Sequence, residues 1–177
     1  MKRVLFLAAI AVTLFSACSK NEKNITDPIA VNGFNINSGD PIDTRFGFRA
    51  NWNPITEGGT FVVSSVNIND PAFTGKITGV LMEIETFVDG QTYKYMSKED
   101  AAYDKTKHFS VAPTGLDVDF QNGTFVSGTG TQLSELRSGS VTVKKSSDNT
   151  YSLKYILDYS DAVITGTFTG PMPEVNK

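Results

Sequence analysis

In 177 residues the chain has one cysteine, one histidine and one tryptophan. A single cysteine excludes intramolecular disulfides, so the fold must hold by packing. One histidine and one cysteine leave only carboxylates for metal binding, which do not make a usual zinc site. A Ser/His/Asp triad has only His108 to draw on, in "KTKHFSV" at the start of an expected strand. Nothing marks a partner for it, so we read it as a strand-end or surface residue. A basic cluster is also lacking, and the net charge is −3, which argues against nucleic acid as a partner.

What is present begins with Met1-Lys2-Arg3 and an apolar run, Val4 to Phe15, in which only Thr13 is polar. Such a run suits the core of an export signal and is too short to cross a bilayer, which takes about 20 apolar residues. Ser16 and Ala17 are small, and Cys18 follows. This stretch resembles the signal of bacterial lipoproteins, with Phe15 where Leu is usual. The resemblance implies cleavage before Cys18 and acyl chains on that cysteine, hence membrane attachment, at about 0.8 kcal/mol per buried CH₂. In that family Asp after the cysteine is usual for retention at the inner membrane, so with Ser19 there the resemblance implies the outer membrane, and Lys20-Asn21-Glu22 is faintly similar to the export signal of surface lipoproteins in the Bacteroidota.

The expected organisation is a signal over 1–17, a lipidated tether over 18–29 and one domain over 30–177. Removing 17 of the 177 residues leaves 160, enough for one real core. It also takes two of 16 basic residues and none of 19 acidic ones, moving the net charge to −5. The tether is too polar to order itself. Asn24 heads a glycosylation triplet that we read as unmodified.

The domain reads as short β-rich runs between Gly, Pro, Asn and Asp. In "RFGFRANWNP", Phe46, Phe48, Ala50 and Trp52 alternate with Arg45, Gly47, Arg49 and Asn51, which predicts one apolar face. Asp89-Gly90 in "GVLMEIETFVDGQTYKYM" predicts a two-residue type I′ hairpin. Its register would oppose Thr86 to Tyr93 and Glu85 to Lys94, burying Met82, Ile84, Val88, Tyr93 and Tyr95. "SKEDAAYDK" allows one or two helical turns, with Ser97 and Asp100 as a capping box, or an irregular loop. Val141 and Val143, then Tyr151 to Leu157, then Ile164, Gly166 and Phe168 alternate in three successive runs, which predicts a closing three-strand meander. The predicted fold is all-β: an antiparallel sandwich or a flattened barrel.

The block "SGSVTVKKSSDNTYSLKYILDYSDAVITGTFTGPM", Ser138 to Met172, resembles the terminal block of small Bacteroidota lipoproteins. That likeness implies location and fold and leaves activity open.

Chemistry is sparse. Glu83 and Glu85 stand side by side on one strand face, whereas glycoside hydrolysis needs carboxyls flanking a bond. "DVDFQNG" fails the calcium-loop pattern, since Gln121, Asn122 and Gly128 fall at loop positions 5, 6 and 12. Asp117 and Asp119 read instead as the wet face of a strand with Leu116, Val118 and Phe120 inside. "SSDN" lacks the other β-lactamase signatures, and "SGTGTQ" lacks the strand-to-helix setting of a phosphate loop. Trp52 reads as core, and Tyr103 and Tyr159, in or near loops, are the remaining ligand-contact candidates.

The expectation is a non-enzymatic, lipid-anchored envelope protein without cofactor, a binding or assembly module whose partner is a glycan or an envelope protein. The alternatives are a glycan-binding accessory protein of a surface uptake system and a lipocalin-like carrier of a small ligand.

Overall fold

The computed structural model describes residues 32–175 apart from 122, 123, 127, 147 and 148. The stretches expected to be a signal and a tether, with Cys18 and Asn24, lie outside the described residues, as do Ser147 and Asp148 of "SSDN" and Asn122 and Gly123 of "DVDFQNG". No helix occurs among the described residues. The strands are β1 (Gly33–Ile36), β2 (Ile42–Asp43), β3 (Phe46–Asn53), β4 (Gly58–Ser64), β5 (Gly75–Ile84), β6 (Thr92–Tyr95), β7 (His108–Phe109), β8 (Thr114–Gln121), β9 (Thr124–Phe125), β10 (Thr131–Leu133), β11 (Leu136–Lys145), β12 (Thr150–Tyr159) and β13 (Val163–Pro171).

They form two sheets. The first runs β2-β1-β13-β12-β11-β6-β7, and the second runs β10-β8-β5-β4-β3 with β9 beside β8. Pairing is antiparallel except between β6 and β7. The architecture is the expected sandwich; the flattened closed barrel is not formed, because each sheet ends in its own edge strands. Barrel closure was the premise of a lipocalin-like carrier, and these open sheets do not supply it.

The meander is as expected. Thr150–Tyr159 pairs with β11 on one side and β13 on the other, and Val141, Val143, Tyr151, Tyr155, Leu157 and Ile164 are fully buried. The core between the sheets joins these to Phe61, Val63, Val80, Met82 and Ile84 of the second sheet. A Cβ on Gly166 would overlap the Tyr155 ring, and one on Gly47 would overlap Phe168 and Met172. These glycines are therefore seats for aromatic rings. The loop Ser97–Lys107 is irregular: the backbone amides of Asp100 and Tyr103 close turns onto Ser97 and Asp100. The capping box does not form, since Ser97 Oγ accepts from Glu99 and Asp100 Oδ1 from Ala102.

Three local expectations are corrected. The hairpin at Asp89-Gly90 does not form, because β5 pairs with β4 and β8 in the second sheet while β6 lies beside β11 in the first. The turn itself exists, with Gln91 N donating to Val88 O at 3.1 Å. Gly90 alone of the pair has positive φ, at 73°, so it fits type II. Instead of closing a hairpin it docks on β11: Gly90 N donates to Val143 O, and Asp89 Oδ1 accepts from Lys145 N. Tyr93 Oη clamps the crossover, accepting from Val88 N at 2.7 Å and donating to Thr86 O at 2.9 Å. Met82, Ile84 and Tyr93 are buried as expected, Val88 is exposed and Tyr95 half-buried.

The second correction concerns β3. Gly47 and Arg49 face the core, with Phe46 and Phe48 on the opposite side; the register then shifts between Ala50 and Asn53, with Asn51 left-handed at φ 50°. This bulge returns Trp52 to the core side, against Phe61. The third is its counterpart in β8. Asp117 is left-handed at φ 51°, and the register slips by one residue between Gly115 and Val118. Leu116 packs on the main core, whereas Val118 and Phe120 join Ile77 in a separate cluster.

Gly166→Ala should lower stability by about 1–3 kcal/mol through overpacking. The check is the urea midpoint of the purified variant, and an unchanged midpoint would mean Tyr155 does not depend on that seat.

Candidate functional site

Alternation from the buried residues of β4 and β5 puts Thr60, Val62, Ser64, Gly79, Leu81 and Glu83 on the side of the second sheet away from the core. An antiparallel sheet in this position should present polar residues there. The first sheet does, with hydroxyl pairs Ser152–Thr169 and Thr92–Thr142 and with Lys154. The second sheet does not. Val62, Leu81, Ile77, Val118 and Pro113 line an apolar depression of about 260 Å³, together with Ser64, Thr114, Gln132 and Ser134. Its floor is low because Gly79 and Gly115 face each other across β5 and β8, beside the Asp117 bulge. One wall is the small cluster in which Val66, Ile68 and Phe73 cover Ile77, Val118 and Phe120.

Farther along the same face lies a polar groove of about 360 Å³, lined by Asn51, Asn53, Gly58, Gly59, Thr60, Glu83 and Glu85. The Asn51 bulge opens it. Lys98 Nζ sits 2.9 Å from both Glu83 Oε1 and Glu85 Oε1. Glu85 therefore faces Lys98, not Lys94 as its hairpin register predicted. Lys98 and then the Tyr103 hydroxyl hold the Glu85 carboxyl below its ordinary value, against the opposing effect of burial. The two glutamates thus share one cation on one face of the sheet.

Tyr103 is half-buried, donating to Glu85 Oε1 at 3.0 Å, with its ring 5.9 Å from His108. Burial and the Glu85 charge push its phenol up. His108 opens β7, and its Nδ1 accepts from Asp104 N at 2.9 Å, so the neutral ring carries its proton on Nε2. Asp104 is held well below the usual range by Thr106 and Lys107. Tyr159 does not offer a ring to solvent: it is 2% exposed, with its hydroxyl bonded to Thr114 Oγ1 and Ala112 O, and burial pushes its pKa up to about 12. Sequence reasoning placed it near a loop; it is the last inward residue of β12. Trp52 is half-buried, with the Arg49 guanidinium 4.4 Å from its ring centre. Asp119 pairs with Lys76, and no group of three or more His, Cys, Asp or Glu suited to a metal ion occurs among the described residues.

Sequence reasoning missed Val62, Leu81, Gly79 and Gly115 as site residues. The one signal available was Leu81 and Val62 at positions where a solvent-facing residue of an antiparallel strand is normally polar. Comparison with protein-family models, with curated proteins and with solved structures finds no match to this chain.

The lowered Glu85 pKa makes a signed prediction. Its stabilisation is present above the ordinary value of 4.5 and is lost as pH falls through the lower folded value. Glu85→Gln should therefore cost under about 1 kcal/mol at pH 7, since the pair is part-exposed, and progressively less as the pH falls below 4.5 through the folded value. Thermal midpoints across pH 3–7 read this; a gap that stays constant with pH would refute the ion-pair account.

Proposed function

We propose that this chain is a lipid-anchored, non-enzymatic binding protein of the bacterial cell envelope, held in the outer membrane through Cys18. The tether over 18–29 stands the sandwich off the lipid, and the outer face of the second sheet takes the ligand. The location is supported by the charged start, the apolar run Val4 to Phe15, and Ser16-Ala17-Cys18. The binding role is carried by one observation, the apolar depression on a sheet face that should be solvated. Its volume lies near the small end for ligand pockets, which suits a short alkyl chain or a single ring.

Two measurements test the two halves. Mass spectrometry of the protein from a membrane fraction should find acyl mass on an N-terminal Cys18, and a mature N-terminus without it would end the lipoprotein reading. Titrating n-hexanol into the mature chain carrying Cys18→Ser, so that no acyl chain competes, should move the NMR amide signals of Val62, Leu81 and Val118. Signals that stay in place would remove the binding face.

A further inference from the structure

Resting on that binding reading, we propose that the apolar depression and the polar groove form one site for an amphiphile with a short apolar tail and a neutral polyhydroxyl head, of the alkyl glycoside kind. The two concavities are joined in the sheet. Thr60 pairs with Glu83 in the groove, and the next row on the same face, Val62 opposite Leu81, lies in the depression. Adjacent same-face rows are about 7 Å apart. A molecule spanning that step meets apolar side chains at one end and hydrogen-bonding ones at the other.

The head is chosen by the groove's charges. Lys98 already lies between Glu83 and Glu85, and Lys105 adds positive potential at Glu85, so an incoming ammonium would meet two cations. An anionic head would meet two carboxylates. A neutral head avoids both costs. The groove offers acceptors and donors together: the Glu83 carboxylate, the Thr60 hydroxyl, the Asn51 amide and the Asn53 NH₂, whose Oδ1 is already taken by the Ile55 and Thr56 amides. Sugar hydroxyls, each both donor and acceptor, match such a mixture. A free sugar would lack its usual aromatic platform, because Arg49 lies over one face of Trp52 and Phe61 meets it edge to face. Affinity must therefore come from the tail, with the head supplying selectivity.

The test uses the mature Cys18→Ser chain and three probes by calorimetry or NMR titration: n-hexyl β-glucoside below its micelle-forming concentration, n-hexanol and glucose. The glucoside should bind at least tenfold more tightly than either other probe. Leu81→Gln should weaken the glucoside and hexanol alike, whereas Glu83→Ala should weaken the glucoside at least fivefold and leave hexanol unchanged, which also shows that variant to be folded. Hexanol binding as tightly as the glucoside, or Glu83→Ala leaving the glucoside unchanged, would overturn the amphiphile while the apolar binding face stands. Failure of all three probes to bind would remove both.

Discussion

The sandwich depends on aromatic rings laid over glycines. With one cysteine in the chain, no covalent cross-link can join the sheets, and the burden falls on contacts such as Tyr155 over Gly166 and Phe168 over Gly47. The first lies between adjacent strands of one sheet, and the second brings β13 of that sheet against β3 of the other. A ring needs the missing Cβ to lie flat at this distance, so the glycine is as necessary as the aromatic. Burying each ring is worth about 1.5–3 kcal/mol, and the geometry also sets how closely the layers approach.

Arg49 secures the same end of the core by different means. It is 7% exposed, and its guanidinium lies over Trp52 at 4.4 Å and 5.6 Å from the Tyr151 ring centre, with Nε donating to Met172 O at 2.8 Å. A buried cation is costly unless its donors and charge are answered, and here aromatic faces and a carbonyl answer it. The backbone of Arg49 then pairs with Pro173 and Val175, so the chain's last described segment covers the outer edge of β3. Covering an edge strand in this way removes a template for unwanted pairing.

The division of labour between the sheets follows. The first sheet spends its apolar face on the core and shows hydroxyls and lysine to solvent. The second spends one apolar face on the core and keeps a second one, part of it covered by the loop bearing Val66, Ile68 and Phe73 and part of it concave. Two bulges shape that outer face. The Asp117 bulge turns Val118 and Phe120 outward beside Gly79 and Gly115, and the Asn51 bulge opens the polar end near Glu83. These two irregularities, in β8 and in β3, lie on the second sheet, one beside the depression and the other beside the groove.

The meander was legible because its alternation is unbroken: every inward residue from Tyr151 to Tyr159 is buried, and local period alone decides that. Alternation failed at Asn51 and Asp117, where a left-handed residue resets the count; asparagine and aspartate tolerate that conformation, but nothing local says when they adopt it. It failed again at Asp89-Gly90, where the turn was readable and the partner strand was not, because β5 and β6 could pair only if β4, β8 and β11 did not claim them first. The sequence by itself determined an all-β chain without disulfides, the inward rows of the closing meander and the turn at Asp89-Gly90, since these rest on composition and neighbours in the chain. Only the tertiary structure decided which sheet each strand joined, which glycines seat aromatic rings, and that Leu81 and Thr60 share an outer face with a depression and a groove, since these depend on pairings between distant residues.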